Sequence, residues 1–185
     1  MIRLTPGGLV AFGRRYSVQI GRGGLSTCKQ EGDGATPVGR WRVLEMLYRA
    51  DRLPRPAPWA RPIGPQDLWC DAADHPAYNQ PVRAPFAASH ERLARPDPLY
   101  DIVLVTDWNY PQTRPGKGSA IFLHQRRRLC YPTAGCLALR RKDLMALARK
   151  VTPGTEILVP PLACFQLGKD TPKRGGATPS PHDKA

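Results

Sequence analysis

Two side chains in this sequence stand closest to chemistry. His124 ends the apolar run Ser119 to Leu123, and Cys136 follows three small residues, Thr133, Ala134 and Gly135. A thiol attacks as its thiolate, so it needs a base or a positive charge beside it. A histidine delivered by a strand end is such a base. The lack of bulk before the sulfur leaves backbone N–H groups open to hold an oxyanion. Twelve residues separate the two side chains, too many for one helical face, so tertiary structure must bring them together. The pattern makes Cys136 the candidate nucleophile and His124 the candidate general base and acid. Gly135 becomes a candidate for the backbone around the oxyanion, and Thr133 for a hydrogen bond to the loop or the substrate.

The elements that must position this pair follow from the apolar pattern. Leu9–Phe12, Tyr16–Ile20, Trp41–Tyr48, Ile102–Thr106, Ala120–Leu123 and Glu156–Val159 read as strands. Arg140 to Val151 carries apolar residues at 144, 145, 147, 148 and 151, an amphipathic helix ended by Pro153-Gly154. Residues 21–35 hold five glycines and read as loop. Residues 51–100 hold ten prolines and little periodicity, and read as an ordered insertion or lid, because Trp59, Trp69, Tyr78 and Phe86 argue against disorder. Residues 166–185 are polar and rich in Pro and Gly, and read as a disordered tail after a single domain of residues 1–165. Strands outnumber helices, so the fold class expected is mainly β with a small α component.

Other chemistries fit poorly. Five residues lie between His124 and Cys130 and five between Cys130 and Cys136, whereas structural zinc sites leave two to four between paired ligands. The glycine-rich loop lacks the Gly-Lys-Ser/Thr of a phosphate-binding loop. No metal and no cofactor are therefore expected. The 185 residues carry 28 Lys and Arg against 15 Asp and Glu, a net charge of +13. Such a surface attracts polyanions or simply favours solubility. No nucleic-acid-binding motif accompanies the charge, so no nucleic acid is expected as partner. The clusters 126–128 and 140–142 flank the candidate site and could draw in substrate carboxylates. Five cysteines are an odd number, so at least one thiol is free in a monomer, the oligomeric state expected. No apolar run reaches the length of a transmembrane helix, and Met1-Ile-Arg-Leu-Thr-Pro6 lacks the apolar core of a secretory signal.

The segment Ile121 to Leu139 resembles the catalytic signature of the L,D-transpeptidase (YkuD-type) family: a histidine at a strand end, a loop, then Ser/Thr-x-Gly-Cys. Upstream, Lys29 to Gly39 resembles the family's Thr-Pro-x-Gly segment. Asp67-Leu-Trp-Cys-Asp71, Tyr78-Asn79, Tyr100-Asp101 and Gly118 to His124 resemble one proteobacterial branch, so that the likeness spans about residues 8–160. Ala134 stands where the commonest form has a second histidine, Ala138 where it has an arginine, and Gln125 where it has glycine. The resemblance implies a β-sandwich-like domain on a mixed sheet and a carbapenem-sensitive cysteine acyltransferase. It implies peptidoglycan stem peptides as substrate, a role in cell-wall cross-linking or remodelling and in cell shape, and a periplasmic or envelope location. The missing signal leaves a cytoplasmic location open. Trp69, Asp71, Tyr78 and Asn79 become candidates for the substrate cleft, and Arg140 a candidate replacement for the arginine absent at Ala138. A hydrolase on the same scaffold, or a basic non-catalytic wall- or nucleic-acid-binding protein, are the alternatives.

Overall fold

In the computed structural model the described residues are 1–161; the tail expected at 166–185, with Cys164 just before it, lies outside them. The strands in chain order are β1 (Ile2–Thr5), β2 (Gly8–Ala11), β3 (Arg14–Tyr16), β4 (Val18–Gln19), β5 (Leu25–Ser26), β6 (Thr36–Pro37), β7 (Gly39–Tyr48) and β8 (Arg61–Pro62). They continue with β9 (Asp67–Cys70), β10 (Pro81–Arg83), β11 (His90–Arg92), β12 (Ile102–Thr106), β13 (Phe122–Gln125), β14 (Leu137–Leu139) and β15 (Glu156–Val159). A 3-10 turn spans Pro98–Tyr100, and the helix α1 spans Arg141–Ala148.

Ten strands form one mixed sheet in the order β3-β2-β1-β15-β7-β12-β13-β14-β4, with β8 beside β7. β3 and β4 lie at opposite ends of this order, yet only Ser17 separates them in the chain. The sheet must therefore curl until its two ends meet, which gives it a nearly closed, barrel-like form. The mainly β expectation holds, on a mixed sheet with one helix.

Alternation along the strands builds two cores. Ile102 and Leu104 of β12, Leu123 of β13, and Leu137 and Leu139 of β14 point into the main core with Ile2, Trp41 and Ile157. Val103, Val105 and Phe122 point to the opposite face and pack beside Trp69, Tyr100 and Cys136 in a second cluster. In β7 the inward residues run Trp41 and Val43, then Met46 and Tyr48. A bulge there, where Val105 pairs Glu45 and Thr106 pairs Val43, resets the phase. α1 closes the main core with Leu144, Leu147 and Ala148; each fully buried leucine is worth about 1.5–3 kcal/mol.

Residues 51–100 cover the outer face of the sheet through Ile63, Trp69, Leu93 and Tyr100, while Leu53, Ala57, Trp59 and Ala60 pack on the main core. The ordered centre of the segment is a small three-stranded sheet, β10-β9-β11. Trp69 of β9 meets Phe122 edge-on, ring centres 5.0 Å apart, and Tyr110 at 5.0 Å. The first strand, Ile2–Thr5, and the short strand after Cys136 have no counterpart among the strands read from sequence. The helix ends at Ala148, short of the Val151 expected.

Candidate active site

Strand register explains how the two candidate side chains come to one cleft. β13 and β14 run parallel, with His124 opposite Ala138 and Leu123 opposite Leu137. Period-two alternation puts His124, Phe122, Ala138 and Cys136 on the outer face, while Leu123 and Leu137 turn inward. Cys136 lies one residue before β14, diagonal to His124, so strand spacing and rise separate the two Cα atoms by about 8 Å. Both side chains line one cleft of about 590 Å³ between the sheet and the residues that cover it.

His124 is 6% exposed. Its Nδ1 lies 2.8 Å from the Gln125 carbonyl oxygen. A carbonyl only accepts, so Nδ1 carries the hydrogen and Nε2 keeps its lone pair. The Tyr100 ring meets the imidazole edge-on, centres 5.4 Å apart. Burial pushes the His124 pKa down to about 4, against the opposing pull of the Gln125 carbonyl. Cys136 is 9% exposed. Its Sγ donates to the Ala120 carbonyl at 3.0 Å and accepts from the Phe122 N–H at 3.4 Å. Burial pushes the thiol up to about 12, although the Phe122 N–H acts to lower it. The resting pair is therefore neutral thiol and neutral imidazole, rather than the preformed thiolate that the residue types suggest. The arrangement suits general-base chemistry, in which Nε2 takes the proton as the sulfur bonds to carbon.

The turn before Cys136 is held from both sides. Thr133 Oγ1 accepts from the Gly135 N–H at 3.1 Å and donates to the Cys136 carbonyl at 2.7 Å. Gly135 has φ +143°, and a Cβ there would stand 2.9 Å from the Ala35 carbonyl oxygen. Only glycine meets both demands without strain.

The other candidates separate. Asp71 lines the cleft. Tyr78 is buried, its hydroxyl donating to Glu31, which itself lines the cleft. Trp69 and Asn79 are each 1% exposed and lie beneath the cleft rather than in its wall. Asn79 Oδ1 accepts from Trp69 Nε1 at 2.8 Å and from the Ala120 N–H at 2.9 Å, and its Nδ2 donates to the Asn109 carbonyl. Arg140 pairs with Asp143 at 2.7 Å, and Arg141 with Asp101 at 2.8 Å; neither lines the cleft. The lining residues missed from sequence include Glu91, Arg95 and Tyr131, whereas Arg127 belongs to the 126–128 cluster read as flanking the site. Glu91 and Arg95 sit in a proline-rich segment with no period to aim them. Among the described residues no group of three or more His, Cys, Asp or Glu converges on one point.

A family model for the L,D-transpeptidase catalytic domain (YkuD) matches residues 2–159 of the chain. The chain belongs to that family. No curated protein matches it, and no solved structure does. The match runs from β1 to the end of β15, so it takes in every strand of the L,D-transpeptidase sheet as well as the residues that roof the cleft. Among the described residues no helix is long and apolar enough to cross a membrane.

Proposed function

We propose that this L,D-transpeptidase domain is a cysteine acyltransferase that exchanges an amide in peptidoglycan stem peptides through a thioester on Cys136. The observation that carries the reading is the placement of His124 and Cys136 on one face of adjacent parallel strands, in one cleft. Sγ attacks the carbonyl on the L-centre side of a diaminopimelate residue while Nε2 of His124 takes the thiol proton. The tetrahedral oxygen meets the backbone at Gly135–Cys136. As that intermediate collapses, the C–N bond breaks, the imidazolium returns its proton to the nitrogen, and D-alanine leaves. The amine of a second stem peptide then attacks the thioester, His124 takes the proton from that nitrogen, and the C–S bond breaks to restore the thiol. The Gln125 carbonyl holds the imidazole in the tautomer that can accept at Nε2. Residues 1–165 are the catalytic unit, with 51–100 as its cover, and a wall substrate puts the work in the cell envelope.

Incubation with a defined tetrapeptide stem, read by intact mass and peptide mapping, tests this. The expected result is an acyl adduct on Cys136 with release of D-alanine, absent in Cys136→Ala and transferred to an added amine acceptor. An adduct on Cys28, Cys70, Cys130 or Cys164 would refute the nucleophile, and release of free acid with the acceptor ignored would make the protein a hydrolase.

A further inference from the structure

The turn that carries Cys136 leans on a hydroxyl from a distant loop. Thr36, from the Thr-Pro-x-Gly segment, is 0% exposed. Its Oγ1 accepts from the Gly21 N–H at 2.8 Å and donates to the Gly135 carbonyl at 2.7 Å. The Gly21 N–H can only donate, so the one hydroxyl hydrogen is committed to Gly135. Three backbone segments crowd together here: a Cβ on Gly21 would stand 2.1 Å from the Gly34 carbonyl oxygen and 3.0 Å from the Gly135 Cα. The Thr36 hydroxyl lies within this contact.

Peptide geometry turns that bond into a consequence for chemistry. In a trans peptide the C=O and N–H point to opposite sides. Fixing the Gly135 carbonyl toward the buried Thr36 aims the Cys136 N–H away from it, toward the cleft that Ala134 and Cys136 line. Among the described residues that N–H finds no hydrogen-bond acceptor. A backbone N–H left free in a cleft is open to an acceptor on a bound substrate, and this one stands on the candidate nucleophile itself. Thr133 braces the same turn from the other side but bonds the Gly135 N–H and the Cys136 carbonyl, so it leaves the intervening peptide plane to Thr36.

We propose that Thr36 is a positioning residue: its hydroxyl sets the Gly135–Cys136 peptide so that the Cys136 N–H faces the oxygen that becomes negative during acyl transfer. The proposal rests on Cys136 as nucleophile. Thr36 itself touches no substrate.

Two reactions of the same sulfur separate positioning from simple support. Acylation by an activated ester builds an oxyanion; alkylation by iodoacetamide does not. Thr36→Val keeps the shape and removes the hydroxyl; Thr36→Ser keeps the hydroxyl. Thr36→Val is expected to slow acylation roughly 10- to 100-fold, less than deleting an oxyanion donor outright, with alkylation at about pH 9 within about twofold of wild type. Thr36→Ser is expected to restore acylation. Thr36→Ala replaces the valine variant if that does not fold, and the Cys136 amide resonance is expected to move in either variant and return in Thr36→Ser. Equal losses in both reactions, wild-type acylation in a folded hydroxyl-less variant, or an unmoved Cys136 amide would each overturn the proposal. Acylation of the wild type is mapped in parallel. A wild type that takes no acyl group at Cys136 removes the nucleophile reading and this proposal with it, whereas acylation indifferent to Thr36 removes this proposal alone.

Discussion

The neutral resting pair makes a prediction about how Cys136 reacts as pH rises. Burial holds the thiol at about 12 and the imidazole at about 4, so at rest the proton stays on sulfur, although attraction within an ion pair narrows the gap between them. A gap half as large would still leave roughly one molecule in 10⁴ as the ion pair. Alkylation by iodoacetamide needs thiolate and forms no oxyanion, so it reads this population directly. The exposed thiols of Cys28 and Cys130 are internal references in the same sample. At about pH 7, Cys136 is expected to alkylate at least ~100-fold more slowly than Cys28. Its rate is expected to rise about tenfold per pH unit through about pH 10, without a plateau. His124→Ala is expected to leave that slope nearly unchanged, because hydroxide rather than imidazole removes the proton. The same variant is expected to lose roughly 10²–10⁴ in acylation rate, because there the base acts in the transition state. Peptide-resolved mass spectrometry across the pH series follows each of the five cysteines. Low exposure slows every reagent, so the shape of the profile decides, not the absolute rate. A flat rate for Cys136 between about pH 5 and 8 that disappears in His124→Ala would mean a standing thiolate–imidazolium pair, and the burial argument would be wrong.

Two further outcomes follow from the same geometry. His124 falls from an ordinary 6.5 to about 4 on folding, so the unfolded chain binds the extra proton and stability declines as pH falls through that window, by up to about 3 kcal/mol. Denaturant unfolding at about pH 7 and pH 4 measures the decline; His124→Gln should lose most of it, and an unchanged decline in that variant would refute the linkage. Arg127 lines the cleft whereas Arg140 is paired with Asp143, so Arg127→Ala should raise the KM for stem peptides and flatten its salt dependence. Arg140→Ala should leave KM alone and cost under about 1 kcal/mol in stability, and equal KM effects in the two variants would show that the basic clusters act together as a diffuse field.

What the sequence disclosed, and what it hid, divides along physical lines. Ile102–Thr106 is buried on both faces and reads as a strand because every residue in it is apolar until the closing threonine. Leu137–Leu139 is three residues long, too short for a period, and its place beside β13 is what brings Cys136 to His124. Trp69 and Asn79 have the side chains of a binding site but serve as a buried brace. An aromatic ring in a cleft and one in a core look alike in one dimension, and only the pairing of β9 against its neighbours puts Trp69 on Phe122. Arg140 carries a legible signal in Asp143, three residues on, where helix geometry brings the two together; its nearness to Cys136 in the chain outweighed that signal. The neutral state of the reactive pair was hidden for another reason. Residue type sets the ordinary pKa, but burial moved both values, and burial is a property of the covering segment, 51–100, whose sequence has no period to read.

That cover links a structural residue to the chemistry. The thiol hydrogen rests on the Ala120 carbonyl rather than on His124. Ala120 sits at φ +50°, a left-handed conformation that costs a non-glycine residue about 1–2 kcal/mol. The Asn79 side chain accepts from its N–H at 2.9 Å, and Asn79 is in turn fixed by Trp69 and the Asn109 carbonyl. The covering segment therefore holds the strained residue whose carbonyl parks the thiol. Activation requires the S–H to leave that carbonyl and give its proton to Nε2 in the same cleft. The burial that limits access to the sulfur also raises its pKa, so the proton stays on the sulfur at rest. Trp69 and Asn79, which do not line the cleft, help to fix the residue whose carbonyl takes the thiol hydrogen.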